Sequence, residues 1–282
     1  MSMQTVLKNK KNNKFSYIRC IFIVFIVMFF SFCAFPGKSS IGQTAVAQQP
    51  LWINWDNMDF FDEREIRQMR QKTLPSLSES VLASKFIRQG PNYKKRIAIT
   101  FDDGPYLLTE KYISVLQEYN IQATFFLIGV QIEKYPDEAK KIVESGYEVG
   151  IHSYSHRQLT TMDISSIEDD FQKSLSAVKS IANSEIRFFR PPYGSFNDTV
   201  IEIAKRHGLT TALWCVDPRD WQVDDWNLIA RHVIEKAENG AIILLHEGRE
   251  ATLKALPSII EGLWARGFDI VSLSELLSDE II

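Results

Sequence analysis

The sequence predicts an α/β fold in which a parallel sheet closes into a barrel. Three observations predict it. Apolar runs of strand length alternate with amphipathic helical stretches about seven times along the chain, the pattern of β-then-α units. That number of units favours a barrel over an open sheet. Several helical stretches stop at a glycine (Gly146, Gly208, Gly240, Gly267), where a left-handed C-terminal cap is needed. Finally, five of the apolar runs end in ionisable residues, and barrels carry their chemistry at the C-terminal ends of the strands.

Taken in order, residues 1–47 read as an address. The first 19 residues are basic and polar, and 20–35 (CIFIVFIVMFFSFCAF) are nearly all apolar. A spanning helix usually needs roughly 20 such residues. The basic flank, short apolar core and Ala45-Val46-Ala47 match a secretory signal with an A-x-A cleavage site. The stretch from Phe35 to Ala47 is long for a signal, so an uncleaved signal anchor is the alternative. In either case the body is expected to be exported: extracellular, periplasmic or anchored at the cell envelope. Membrane contact would be made only through the uncleaved segment. Residues 48–93 form an N-terminal extension with one helix expected over 62–72. Its Trp52, Trp55, Phe60 and Phe61 are expected to pack on the outside of the domain, with glycan stacking as the alternative.

The main domain is expected over 94–282, with strands at 97–101, 123–128, 147–151, 186–189, 211–216, 241–245 and 268–271. Helices are expected near 109–119, 136–144, 164–181, 198–207, 225–238 and 251–265. In the third of these, Ile164, Ile167, Phe171, Leu175, Val178 and Ile181 form one apolar stripe behind an Asp163 N-cap. Hydrophobic residues make up 45% of the 282 and charged residues 24%, which excludes collagen-like, coiled-coil and wholly disordered chains. The net charge is −3, but residues 1–47 hold six cations and no acid, so the body carries 26 basic against 35 acidic residues. Such a body argues against nucleic acid as a partner. Of three cysteines only Cys215 lies in the body, which excludes an intramolecular disulfide or a cysteine-rich zinc site there. Cys215 itself reads as a small buried apolar residue.

The strand ends carry Asp102-Asp103-Gly104-Pro105, His152-Ser153-Tyr154-Ser155-His156, Arg190-Pro191-Pro192-Tyr193-Gly194, Asp217-Pro218-Arg219-Asp220-Trp221 and His246-Glu247-Gly248. Each alone has an ordinary reading as a turn, a cap or a core histidine. Their joint occurrence, each after a strand, points to a site. Two imidazoles at i and i+4 can face one metal if the segment turns helically, and a carboxylate completes a three-ligand site open to water. Asp102 and Asp103, on an extended chain end, would point to different sides. One could then bind metal while the other does something else. A bound Zn²⁺ lowers the pKa of its water to about 7 and polarises a carbonyl. A carboxylate base and a histidine acid complete a set suited to hydrolysis of an acyl bond. His207 and His232, within helices, read as structural or solvent-facing.

From about Lys95 to Leu277 the sequence resembles the polysaccharide deacetylases of the NodB-homology type, carbohydrate esterase family 4, with a match to all five family motifs. These are Thr100-Phe101-Asp102-Asp103-Gly104-Pro105, the His152–His156 run, Arg190-Pro191-Pro192-Tyr193, Asp217-Pro218-Arg219-Asp220-Trp221 and Ile242-Ile243-Leu244-Leu245-His246. The resemblance implies a distorted (β/α) barrel of seven or eight strands. It implies Asp102 as the base activating the water on the metal, and Asp103, His152 and His156 as the ligands. Arg190 would pair with Asp102, the Tyr193 N–H would help hold the oxyanion, and His246, paired with Asp220, would protonate the leaving amine. Trp221 and Leu244, with Pro191 and Tyr193 beside them, would bind the substrate around the acetyl methyl. The metal would be Zn²⁺, with Co²⁺, Mn²⁺ or Ni²⁺ able to replace it. The implied reaction is deacetylation of N-acetylated sugars in peptidoglycan or a chitin-like oligomer. O-deacetylation of acetylated xylan or exopolysaccharide is the alternative within the same chemistry. A non-catalytic glycan-binding protein is the alternative outside it.

Overall fold

The computed structural model describes residues 85–182 and 185–278. The expected signal segment, the helix over 62–72 and the aromatics before it lie outside the described residues. Seven strands form one parallel sheet: β1 (Arg96–Asp102), β2 (Thr124–Leu127), β3 (Glu148–Ile151), β4 (Phe188–Phe189), β5 (Thr210–Thr211), β6 (Ile242–His246) and β7 (Asp269–Val271). The order is β5-β4-β3-β2-β1-β6, with β7 paired to the first residues of β1. Closure comes from single bridges beyond this path. Val216 bridges Ile243 of β6, and Ile87 bridges Ala212 just past β5. The barrel expectation holds, and closure by bridges in place of a full ladder is what distorts it.

β4 and β5 keep only two ladder residues each, fewer than their apolar runs suggest. Past Ala212 the chain swings toward β6, where the amides of Cys215 and Val216 both donate to the Ile242 carbonyl. This irregularity turns Cys215 to the surface, correcting the expectation that it is buried.

Side-chain alternation along β1 sorts two cores. Ile97, Ile99 and Phe101 join the outer core beneath the helices, while Ala98 joins Phe126, Phe188, Ala212 and Ile242 inside the barrel. Thr100 and Asp102 continue the inner face of β1 toward its C-terminal end. The outer layer is α1 (Thr109–Glu118), α2 (Gly129–Lys134), α3 (Pro136–Glu144), α4 (Ile164–Lys179), α5 (Asp198–Arg206), α6 (Trp226–Lys236) and α7 (Glu250–Ala265). The Asp163 cap on α4 is present, its carboxylate accepting from the Ser166 amide at 2.8 Å. Gly240 lies beyond the end of α6, and its φ is 80°. A Cβ there would fall 2.4 Å from the Gly90 carbonyl oxygen, so close packing of the incoming chain, as well as the turn, requires glycine.

The sequence reading missed two helices, α2 and the five-residue α8 (Leu273–Leu277). α8 closes the N-terminal mouth of the barrel, with Leu273, Leu276 and Leu277 packed into the inner core. Its seat is Glu148, buried at the start of β3. That carboxylate accepts from Thr124 Oγ1 (2.7 Å), the Ser274 amide (3.2 Å) and the Ser274 hydroxyl. Burial pushes the Glu148 carboxyl pKa up despite these donors. The C-terminal mouth, left open by this plug, is where the strand-end clusters gather.

Candidate active site

Asp102 ends β1, is 2% exposed, and has His246 of β6 as its register partner. The next residue leaves the strand abruptly, with Asp103 at φ 75°. An extended chain end was the premise for expecting the two carboxylates to diverge, and the left-handed backbone at Asp103 corrects it. Both reach the same imidazole. His152 Nε2 lies 3.7 Å from Asp102 Oδ2 and 3.5 Å from Asp103 Oδ1. His156 Nε2 lies 3.1 Å from the same Asp103 oxygen.

The two histidines do not meet through a helical turn. His152–His156 is an irregular loop, with Ser153 at φ 63° and His156 at φ 54°. Together with Asp103, Tyr193 (φ 61°) and Arg219 (φ 54°), these are five of the six described non-glycine residues with positive φ. Strained backbone is concentrated at functional loops.

These three residues fit a metal ion. Their ligand atoms lie within 4.8 Å of one another. Atoms bound at 2.0–2.2 Å around a tetrahedral Zn²⁺ stand about 3.3–3.6 Å apart, near the two separations from Asp103 Oδ1. His152 Nδ1 sits 2.8 Å from the Arg190 carbonyl oxygen, so it carries the proton and leaves the Nε2 lone pair facing Asp103. Burial pushes the His152 pKa down, against the pull of Asp102 and Asp103, and keeps the ring neutral as a ligand requires. Asp103 Oδ1 is buried and accepts no hydrogen bond.

Arg190 follows β4 and is wholly buried in the barrel. Its NH1 donates to Asp102 Oδ1 at 2.7 Å and to Thr100 Oγ1 at 2.8 Å. Nε and NH2 donate to the carbonyls of Ala212 and Leu213, both at 3.1 Å. The guanidinium lies 4.0 Å from the centre of the Phe126 ring and 5.6 Å from that of Trp214. A buried cation needs this full set of partners. The expected pairing of Arg190 with Asp102 is therefore present.

The pairing of His246 with Asp220 is present too. His246 Nδ1 is 2.7 Å from Asp220 Oδ1, and the His246 amide donates to Asp220 Oδ2 at 2.8 Å. Thr252 Oγ1 donates to Oδ2 as well, at 2.6 Å. Burial alone would lower the His246 pKa. The Asp220 hydrogen bond and charge, aided by Asp102 and Asp103, overcome it and carry the value up to about 9. Because the folded value is raised, this pair stabilises the fold below about pH 6.5 and loses that contribution as pH rises through 9. NMR titration of the metal-free protein is expected to place His246 near 9. Asp220→Asn is expected to bring it to the ordinary value of about 6.5 or below, since burial then dominates. A wild-type value near 6.5 would show that Asp220 does not set the charge of His246.

Around this centre Tyr193 is exposed, its ring 4.9 Å from that of His156, and Trp221 is also exposed. Leu244 and Pro191 are buried. His207 is structural, bonded to Glu168 at 2.8 Å and stacked on Phe171.

Sequence reasoning gave no role to two buried acids beside the site. Glu247 follows His246; its amide donates to the Asp102 carbonyl at 2.9 Å, and it takes the Thr109 hydroxyl. Burial raises its pKa to about 8. Adjacency to His246 at a strand end was the one available signal. Asp170, in the middle of α4, had none.

The sequence profile described as polysaccharide deacetylase matches residues 89–212, from just before β1 to just past β5. The peptidoglycan-N-acetylglucosamine deacetylase of Bacillus cereus is 37% identical over 193 residues, covering 66% of this chain and 90% of that protein. A bifunctional xylanase/deacetylase of Pseudobutyrivibrio xylanivorans is 37% identical over 187 residues, 65% of this chain but only 30% of that enzyme. Among solved structures, a carbohydrate esterase family 4 pseudoenzyme from Bacillus anthracis superposes with a TM-score of 0.66 at 32% identity, covering 70% of each chain.

Proposed function

The chain belongs to the polysaccharide deacetylase family, and from that premise we propose that it is a metal-dependent enzyme that removes acetyl groups from N-acetylated sugars of an extracytoplasmic glycan, peptidoglycan or a chitin-like oligomer. The observation that carries the reading is the convergence of Asp102, Asp103, His152, His156 and the His246–Asp220 pair at one mouth of the barrel. One of the similar structures is a pseudoenzyme. This chain has an acid, a base candidate and a metal-fitting triad, which favours catalysis over glycan binding alone.

Asp103, His152 and His156 would hold the divalent cation, with Zn²⁺ the first choice and Co²⁺, Mn²⁺ or Ni²⁺ able to serve. When bound, it supplies Lewis acidity to the acetamide carbonyl and acidifies water. Asp102 takes the proton of the attacking water on Oδ2, while its Oδ1 stays bonded to Arg190. The Tyr193 N–H would help hold the oxyanion. His246, held protonated by Asp220, donates to the nitrogen as the C–N bond breaks and releases acetate and a free amine. Trp221 and Leu244 shape the space for the acetyl methyl. Export through the N-terminal segment would bring the enzyme to such a glycan, and the acidic body leaves nucleic acid out.

Similarity to the xylanase/deacetylase favours O-deacetylation as the second reading, since the leaving atom alone differs. Acetate release by the purified full-length chain separates the two, with N-acetylglucosamine oligomers, peptidoglycan and acetylated xylan compared side by side. Chelator is expected to abolish release and Zn²⁺ to restore it. Preference for xylan would replace the N-deacetylase reading. Release that survives metal stripping, or no release from any polymer, would overturn the proposed function.

A further inference from the structure

We propose that Asp170 is a positioning residue that sets the metal affinity of the site by holding the His152–His156 loop in its strained conformation. The inference rests on Asp103, His152 and His156 being the metal ligands. Asp170 lies on α4 (Ile164–Lys179) and is only 4% exposed, on the face that also buries Ile167, Phe171, Ser174 and Val178. An apolar side chain would suit that face better, because burying a carboxylate is costly unless it is well bonded. Its three hydrogen bonds all come from the loop. The Tyr154 amide donates to Oδ1 at 2.7 Å; the Ser155 amide and hydroxyl donate to Oδ2 at 3.2 and 2.7 Å.

The loop needs such a hold. Ser153 and His156 both have positive φ, a conformation that costs a non-glycine residue on the order of 1 kcal/mol or more unless its surroundings impose it. A second clamp comes from α2. The amides of Gly129 and Val130, in the first turn of α2, donate to the carbonyls of Ser153 and Tyr154, both at 3.0 Å. Gly129 permits this approach, since a Cβ there would fall 2.3 Å from the Tyr154 ring. The remaining groups are tied as well. The His152 amide donates to the Leu127 carbonyl at 2.8 Å, and the His156 amide donates to Ser153 Oγ at 2.9 Å. α2 takes the carbonyls and Asp170 takes the amides, so both helices hold the loop backbone. Without Asp170, two half-buried amides lose their acceptor and the turn between the imidazoles is free to relax. His156 then no longer shares Asp103 with His152.

The test is Zn²⁺ titration of the metal-stripped full-length chain against a competing indicator, with wild type, Asp170→Asn, Asp170→Glu and Ser155→Ala compared. Asp170→Asn presents an amide N–H₂ where an acceptor oxygen is needed. It is expected to weaken Zn²⁺ affinity by about 10–100-fold, the usual effect of losing an outer support of a metal ligand. Asp170→Glu is expected to recover part of that loss. Ser155→Ala removes one of the three bonds and is expected to weaken affinity less. At saturating Zn²⁺ the KM for glycan is expected to stay at the wild-type value, and the visible spectrum of the Co²⁺ form of Asp170→Asn is expected to change. A purely structural residue would lower the Tm and leave metal affinity and the Co²⁺ spectrum unchanged, which would overturn the proposal. If Asp170→Asn does not fold, Ser155→Ala decides: unchanged Zn²⁺ affinity in that folded variant overturns the proposal equally. A wild-type chain that takes up no divalent ion would overturn both this proposal and the metal reading beneath it; equal uptake by wild type and variants would overturn this proposal alone.

Discussion

Asp102→Asn is expected to lower kcat by about 10²–10⁴-fold, the range for loss of a general base, while the fold and divalent-metal uptake survive. The structure separates the two oxygens of this carboxylate. Oδ1 accepts from Arg190 at 2.7 Å, and an Asn amide oxygen can do the same. Oδ2 faces His152 at 3.7 Å and is the atom free to take a proton from water. An amide nitrogen in its place cannot. Arg190 keeps Thr100 Oγ1, two backbone carbonyls and two aromatic faces, so the isosteric change leaves its donors satisfied. Its charge does lose a carboxylate partner, and some loss of stability follows. Truncation to Ala is the harsher case, because stripping one partner from a buried pair costs about 3–5 kcal/mol. Acetate release, bound-metal content and a thermal melt of the same preparation read the three effects separately. Near-wild-type kcat in a metal-loaded Asp102→Asn would remove Asp102 from the role of base.

His152→Ala is expected to lose both metal and activity. Of the three candidate ligands it is the most buried, with a side chain 3% exposed against 26% for Asp103 and 28% for His156. It is also the one whose ring is fixed from behind, by the Arg190 carbonyl on Nδ1. Removal leaves Asp103 and the more exposed His156, two ligands where a catalytic Zn²⁺ site uses three. Added Zn²⁺ is expected not to restore turnover, in contrast to Asp170→Asn, where the ligand set is intact. A His152→Ala protein that retains a full complement of metal and its activity would sink the ligand assignment.

The convergence of the strand-end clusters was legible because each follows an apolar run, and a strand end in a parallel barrel has one destination. The register that sets Asp102 beside His246, and the pairings of Arg190 with Asp102 and Asp220 with His246, are consequences of that arrangement. The long amphipathic helices were legible from their apolar spacing, and α4 starts at the Asp163 cap. α2 and α8 were not legible, since six and five residues are too few to show a helical period.

The sequence by itself therefore determined which side chains the barrel mouth receives and that the sheet is parallel, because local periodicity and strand ends are written in neighbouring residues. Tertiary structure alone decided how those side chains meet. The turn at Asp103, the non-helical path from His152 to His156, the outward face of Cys215 and the grip of Asp170 each depend on hydrogen bonds or steric contacts with distant parts of the chain. The physical reason is that a positive-φ backbone is unfavourable in isolation and persists only where packed neighbours satisfy its amides and carbonyls. Those neighbours are brought together only when the barrel closes.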